Sequence, residues 1–234
     1  MVKSEYQNSK ELRVNNVLTI DGPSGVGKGT VARVMAQKLD WNLLDSGAIY
    51  RAFALAVEAR GVNIADESAL QKIAQTLDLE FKTEQDSELV SVFLEGRNVS
   101  KTLRTEQTGE IASKIASIGV VRTALLKRQQ DFAQAPGLVA DGRDMGTVVF
   151  ADAPFKVFLT ASAQERAKRR LKQLQAQGTM GIMSQILAEV VARDERDCSR
   201  KNSPLKPAND ALIIDTTELS IDKVIAQVSE LMKT

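Results

Sequence analysis

The residues best suited to chemistry lie at positions 22–30, where Gly22-Pro23-Ser24-Gly25-Val26-Gly27-Lys28-Gly29-Thr30 matches G-x-x-x-x-G-K. In such a segment the glycines let backbone amides curl around a phosphate, while the lysine reaches the outer phosphates of a nucleotide. A helix opening there adds the positive end of its dipole. Gly29 stands where a hydroxyl residue is usual, and Thr30 follows it. Three other groups place charge where an anion could use it. In Leu44-Asp45-Ser46-Gly47-Ala48-Ile49-Tyr50-Arg51, Ser46 and Gly47 can open a helix, with Ser46 as its cap and Arg51 about one turn beyond. In Asp141-Gly142-Arg143-Asp144-Met145-Gly146 an arginine sits between two acids, and its forked donors suit a phosphate. Arg166, Arg169 and Arg170 recur at helical spacing with Lys168 and Lys172, and Arg193, Asp194, Arg196, Asp197 and Arg200 follow a Gly178–Gly181 break. Arg193, Asp197 and Arg200 are spaced i, i+4 and i+7, which predicts one helix face. Taken alone, these groups also fit a capped helix, a local ion-pair network and a solvated face.

The composition narrows the chemistry. Histidine is absent, which excludes Ser-His-Asp and Cys-His catalysis and any His-ligated metal. The single cysteine, Cys198, excludes an intramolecular disulfide and fits a reducing cytosol, so a cytoplasmic protein is expected. Lys plus Arg number 31 against 30 Asp plus Glu, without the basic excess of a nucleic-acid binder. No apolar run approaches the ~20 residues that span a bilayer. Neither nucleic acid nor membrane is therefore expected as a partner. Residues 1–16 read as a polar extension without a signal peptide's apolar stretch.

These groups must be positioned by the elements around them. Short branched runs at Val17–Ile20, Leu43-Leu44, Leu138–Ala140, Lys156–Leu159 and Ala211–Ile214 alternate with helical patterns. That alternation predicts an α/β fold, a five-stranded parallel sheet flanked by helices. Asp21, Asp45, Asp141 and Asp215 stand at or just after strand ends, where such sheets bind ligands and where turns also favour aspartate. Val31, Val34 and Met35 continue the glycine-rich loop as a helix. The closing helix shows Ile221, Val224, Ile225, Val228, Leu231 and Met232 on one face, with Ser220 as its cap. Residues 62–100 break the pattern. Leu70, Ile73, Ala74 and Leu77 suggest a helix, and Leu79-Glu80-Phe81, Leu89–Leu94 and Arg97–Val99 suggest a small antiparallel sheet with a Glu95-Gly96 turn.

The Gly-Lys-Gly-Thr end of the loop, the Asp45–Arg51 segment, and Asp141-Gly142-Arg143-Asp144-Met145-Gly146-Thr147-Val148-Val149-Phe150 together resemble the bacterial-type cytidylate kinases, P-loop nucleoside monophosphate kinases. The resemblance runs from Val17 to the C-terminus, with the segments in the family's order. It implies ATP-dependent phosphorylation of CMP or dCMP, with Mg²⁺ accompanying ATP and held mainly through its phosphates and water. It implies a core of residues 17–61 and 101–234, an NMP-binding insert at 62–100, and a short helical lid at about 163–200. ATP would meet Gly22–Thr30 and Arg166. CMP would meet Ser46, Tyr50, Arg51, Ser113, Arg122, Arg143, Asp144, Arg193, Asp197 and Arg200. Within that set the resemblance gives Ser113, Arg122 and Asp144 to cytosine, Arg193 and Asp197 to ribose, and Arg51, Arg143 and Arg200 to the acceptor phosphate. Lys28, Arg143, Arg169 and Arg200 would act on the transferred group, and the chain is expected to be a monomer. Three other assignments fit the residues less well. Another small-molecule kinase, for UMP, AMP or shikimate, would lack the Asp45–Arg51 segment and the insert. A nucleotide-gated RNA-binding protein sits badly with the charge balance, and a GTPase would need an Asn-Lys-x-Asp segment that this chain does not have.

Overall fold

A computed structural model of the chain describes residues 16–83, 90–176 and 178–233. Residues 1–15 of the N-terminal extension, and Leu89 of the expected strand, lie outside the described residues. Asn16 is tied to the core, since its carbonyl accepts from Leu138 N at 2.8 Å and its amide donates to Pro136 O at 2.7 Å.

In chain order the elements are β1 (Val17–Asp21), α1 (Lys28–Leu39), β2 (Asn42–Asp45), α2 (Ser46–Ala59), α3 (Glu67–Gln75), β3 (Leu79–Thr83), β4 (Val90–Leu94), β5 (Arg97–Asn98), α4 (Glu106–Ile115), α5 (Gly119–Gln130), β6 (Leu138–Gly142), β7 (Phe155–Thr160), α6 (Ala163–Ala176), α7 (Met183–Cys198), β8 (Leu212–Asp215) and α8 (Ile221–Leu231). The chain divides into two compact units, one of residues 1–44 and 130–234, the other of residues 45–129.

The first unit carries the five-stranded sheet, ordered β2-β6-β1-β7-β8. All five residues of β1 are buried, as expected of a strand covered on both faces. Its register sets Leu18 beside Val139 and Phe155, and Asp21 beside Gly142 and Phe158. Leu18, Ile20, Val31, Met35, Val139, Val157 and Leu159 form the core, with Val224 and Val228 of α8 packed into it. Each such side chain contributes roughly 1.5–3 kcal/mol by leaving water. Ile221 departs from the expected apolar face of α8 and is exposed, because it stands in the first turn at the end of the packed stripe. Ser220 caps that helix by accepting from Lys223 N. Because β1 pairs in parallel with β6 and β7, and β7 with β8, Asp21, Gly142, Thr160 and Asp215 all end on one edge. β1 runs on toward β2 on one side while β7 and β8 extend from the other. The phosphate loop thus leaves the sheet where its order reverses, the position at which open α/β sheets bind ligands.

The second unit is built on α2, whose Ile49, Tyr50, Phe53 and Val57 are buried. Leu70, Ile73 and Ala74 bury one side of α3. The strands β3, β4 and β5 form an antiparallel sheet in that order, packed through Val92 against Leu103 and Ala52. Glu95 and Gly96 both have positive φ, at 50° and 74°, which a two-residue type I′ hairpin requires. The stretch read as an insert, 62–100, lies within this unit, which also holds α2, α4 and most of α5.

Candidate active site

In the first unit, β1 ends at Asp21 and α1 begins at Lys28, with the glycine-rich loop between them. Gly22 has φ 145°, and a Cβ there would lie 2.1 Å from Leu159 O, so no other residue fits. Gly25 and Gly27 also sit at positive φ. Gly27 caps α1 in the left-handed conformation and offers no side chain to its first amides, so those donors can serve an anion. Lys28 is buried, donates to Pro23 O at 2.9 Å, and lies 3.9 Å from Asp141 Oδ1. Burial, then the nearby Arg143, pulls its ammonium down to about 7, against the pull of Asp141 and Asp21. A polyphosphate at this loop would restore the charged form, because it adds the anionic partner that burial demands. A Cβ on Gly29 would sit 3.4 Å from Asp141 Oδ2, so that carboxylate stands at the mouth of α1.

Around Asp197 the charged residues do not form a solvated face. Asp197 is 1% exposed. It accepts from Arg143 Nε at 3.0 Å and pairs with Arg200. Burial pushes its carboxyl up, but Arg143 and Arg200 prevail and hold it below the usual carboxylate range. Arg193 acts electrostatically on both Asp197 and Lys28. The expected single helix face needs correction, because α7 ends at Cys198 with Ser199 as its C-cap and Arg200 lies beyond it. Asp197 joins α7 to the β6 loop through a residue 54 positions away.

Arg166 and Arg169 of the lid region turn inward. Arg166, 4% exposed, donates to Ser24 O at 3.1 Å and Ala161 O at 3.1 Å and pairs with Asp194 of α7. Arg169 donates to Val26 O at 3.4 Å and Thr216 O at 2.6 Å. Both therefore hold carbonyls of the phosphate loop, while Lys168 and Lys172 remain exposed. Beside the loop lies a groove of about 510 Å³ lined by Val26, Thr30, Arg169, Thr216, Leu219 and Ile221 among others. The Thr216–Leu219 part of its wall carries no sequence signal, as it is a loop with no motif of its own.

In the second unit Asp45, not Ser46, caps α2, accepting from Ala48 N at 2.9 Å. Both residues are good capping types, and the helix begins at Ser46, one position earlier than a Ser46 cap requires. Ser46 is free for another task and donates to Gln129 Oε1 at 2.7 Å, with both side chains buried. Gln129 carried no sequence signal. Arg122 lies over the Tyr50 ring, 5.7 Å from its centroid, and donates to Ala116 O at 3.1 Å. Ser113 is buried on α4. Arg51 donates to Leu103 O at 2.6 Å, and Gly109 makes room for it, since a Cβ there would lie 3.1 Å from Arg51 Nη2. The candidate residues thus fall into two sets. The first unit holds the loop, Arg143, Asp144, Arg166, Arg169, Arg193, Asp197 and Arg200, and the second holds Ser46, Tyr50, Arg51, Ser113 and Arg122.

Comparison with known proteins matches the same stretch of chain. Residues 18–234 fit the family model described as cytidylate kinase. The cytidylate kinase of Aliivibrio salmonicida is 56% identical over 211 residues, spanning 90% of this chain and 93% of that protein. That of Pseudomonas fluorescens is 55% identical over 212 residues, spanning 91% and 93%. A phosphate loop at the reversal of a parallel sheet, with arginines gathered around a buried aspartate, is thus the frame of a chain that belongs to the cytidylate kinase family.

Proposed function

We infer that this chain transfers the γ-phosphoryl group of ATP to CMP or dCMP, giving ADP and CDP or dCDP. The observation that carries it is the uncapped phosphate loop with buried Lys28, set on the same sheet edge as the loop that bears Arg143. The acceptor is a phosphate oxygen, anionic at neutral pH, so no general base is required and a chain without histidine suffices. Catalysis reduces to aligning two polyanions and offsetting charge on the transferred group.

The loop amides and Lys28 hold the donor phosphates, and the donor base takes the adjacent groove. Arg166 and Arg169 keep the loop carbonyls turned away from it, and Arg169 also reaches the transfer zone. Arg143, Arg200 and Arg51 meet the acceptor phosphate. Asp144, Ser113 and Arg122 read cytosine, Ser46 and Tyr50 support them, and Arg193 and Asp197 face the ribose. The segment 62–100 serves as the NMP-binding insert and about 163–200 as the lid, whose closure excludes competing water. Mg²⁺ needs few protein ligands, since it keeps water and phosphate oxygens in its shell. The exposed Thr30 and the carboxylate of Asp141 at the mouth of α1 fit that demand, and the ion would supply charge neutralisation across the β- and γ-phosphates. Among the described residues no helix is long and apolar enough to cross a membrane. A cytoplasmic monomer without nucleic-acid or membrane partners is the working picture.

Replacing Arg143 by alanine tests the acceptor assignment. Loss of a charge-assisted contact costs about 1.5–3 kcal/mol, so CMP binding should weaken ten- to hundredfold with ATP little changed. Separate titration of the two nucleotides checks this. Equal losses would move Arg143 to the shared transfer zone, and no loss would leave it only the ion pair with Asp197.

A further inference from the structure

Asp21 is a buried carboxylate that the mechanism above does not use. It ends β1 one residue before the phosphate loop and is 4% exposed. Its Oδ1 accepts from Met145 N and its Oδ2 from Gly146 N, both at 2.8 Å. These amides open the helical turn Met145–Val149, whose N-cap, Asp144, makes no side-chain capping bond. Val148 N and Val149 N donate back to Asp144 O at 2.9 and 3.2 Å, so the turn in its own right fixes the Asp144 main chain. We propose that Asp21 is a positioning residue that caps this turn from the neighbouring strand and thereby holds Asp144 in place for the acceptor base. The proposal rests on the reading of Asp144 as a cytosine contact.

Two features separate this from routine packing. Both oxygens must accept at once, so only the ionised carboxylate completes the clip; an amide would turn a donor toward one of the N–H groups. A carboxylate here is also a costly choice, because burial raises it to about 7 despite the two amides, and Asp144 adds repulsion. The turn has no slack to compensate. A Cβ on Gly146 would come within 2.9 Å of Thr19 Oγ1, and one on Gly142 within 2.7 Å of the Met145 side chain. The same residue also starts the donor loop, so one side chain sets the spacing between the donor loop and the Asp144 turn.

The test is a double-mutant cycle of Asp21→Asn and Asp144→Asn, read as the KM for CMP and for ATP with the melting temperature alongside. Asp21→Asn alone should raise the KM for CMP at least tenfold and that for ATP less than threefold. In the Asp144→Asn background the same change should cost CMP less than threefold, because its effect runs through Asp144. Multiplying effects, or equal rises for CMP and ATP, would overturn the clip and leave Asp144 as a cytosine contact. If Asp144→Asn leaves the KM for CMP unchanged, the base reading fails, and the proposal falls with it. Should Asp21→Asn prove insoluble, Gly146→Ala, which presses on the same turn from Thr19, replaces it in the cycle with the same expected and contrary results.

Discussion

Lys28→Met is expected to lower turnover by at least a hundredfold while leaving the protein folded. Removing one preorganised electrostatic contact to a transferring group costs ~10²–10³ in rate, and Lys28 is the cation set at the phosphate loop's end. Inside the protein its ammonium donates to Pro23 O, and methionine follows the same stem through the buried pocket. Burial already disfavours the ammonium, so its removal should move the melting temperature by no more than a few degrees. An ADP-release assay at saturating nucleotides, with a thermal melt of the same sample, checks both parts. Retention of more than a tenth of wild-type activity would contradict the loop's assignment.

Asp197→Ala is expected to fail twice over, in catalysis and in stability. The carboxylate is buried between Arg143 and Arg200, so its loss removes the anion that the two guanidiniums share. Breaking a buried pair costs on the order of 3 kcal/mol, which in a chain of this size lowers the melting temperature by roughly 6–12 °C. Catalytic efficiency with CMP and dCMP should fall sharply, because the acceptor-side arginines lose their anchor as well as the ribose its carboxylate. The KM for ATP should stay nearly constant. The pH dependence has a definite sign. The folded carboxyl is held below the usual aspartate range, so its contribution is fully present above that range and is lost as pH falls through the lower folded value. The melting-temperature gap between wild type and Asp197→Asn should therefore persist down to the usual aspartate range and close only as pH falls below it. A gap that is absent at neutral pH, or that widens in acid, would contradict the buried pairing.

The parts of the fold legible in the sequence are those set by local pattern. Val17–Asp21 and Leu138–Ala140 are buried on both sides, and a continuous branched run between turn residues is what such strands require. The phosphate loop is legible because its glycines answer to backbone angles and to a 2.1 Å clash. What was not legible depends on contacts between distant residues. Arg166 and Asp194 are 28 positions apart, and Arg143 and Asp197 are 54 apart, so helical spacing marked a charged face where the fold builds a buried network. Spacing also carried Arg200 onto α7, because the helix stop at Ser199 lacks a glycine or proline signal. Asp21 was visible only as an aspartate ending a strand, since the amides it clips belong to residues 145 and 146 and leave no mark in composition.

The identity of the acceptor can be read from a single turnover comparison. Purified protein with MgATP is presented with CMP, dCMP, UMP, AMP, GMP and shikimate in turn, and ADP release is followed for each. The account predicts that CMP or dCMP gives the highest kcat/KM, at least tenfold above AMP, GMP and shikimate, with CDP or dCDP as the product. Turnover led by AMP or shikimate, or ADP release that is the same with and without any acceptor, would contradict it.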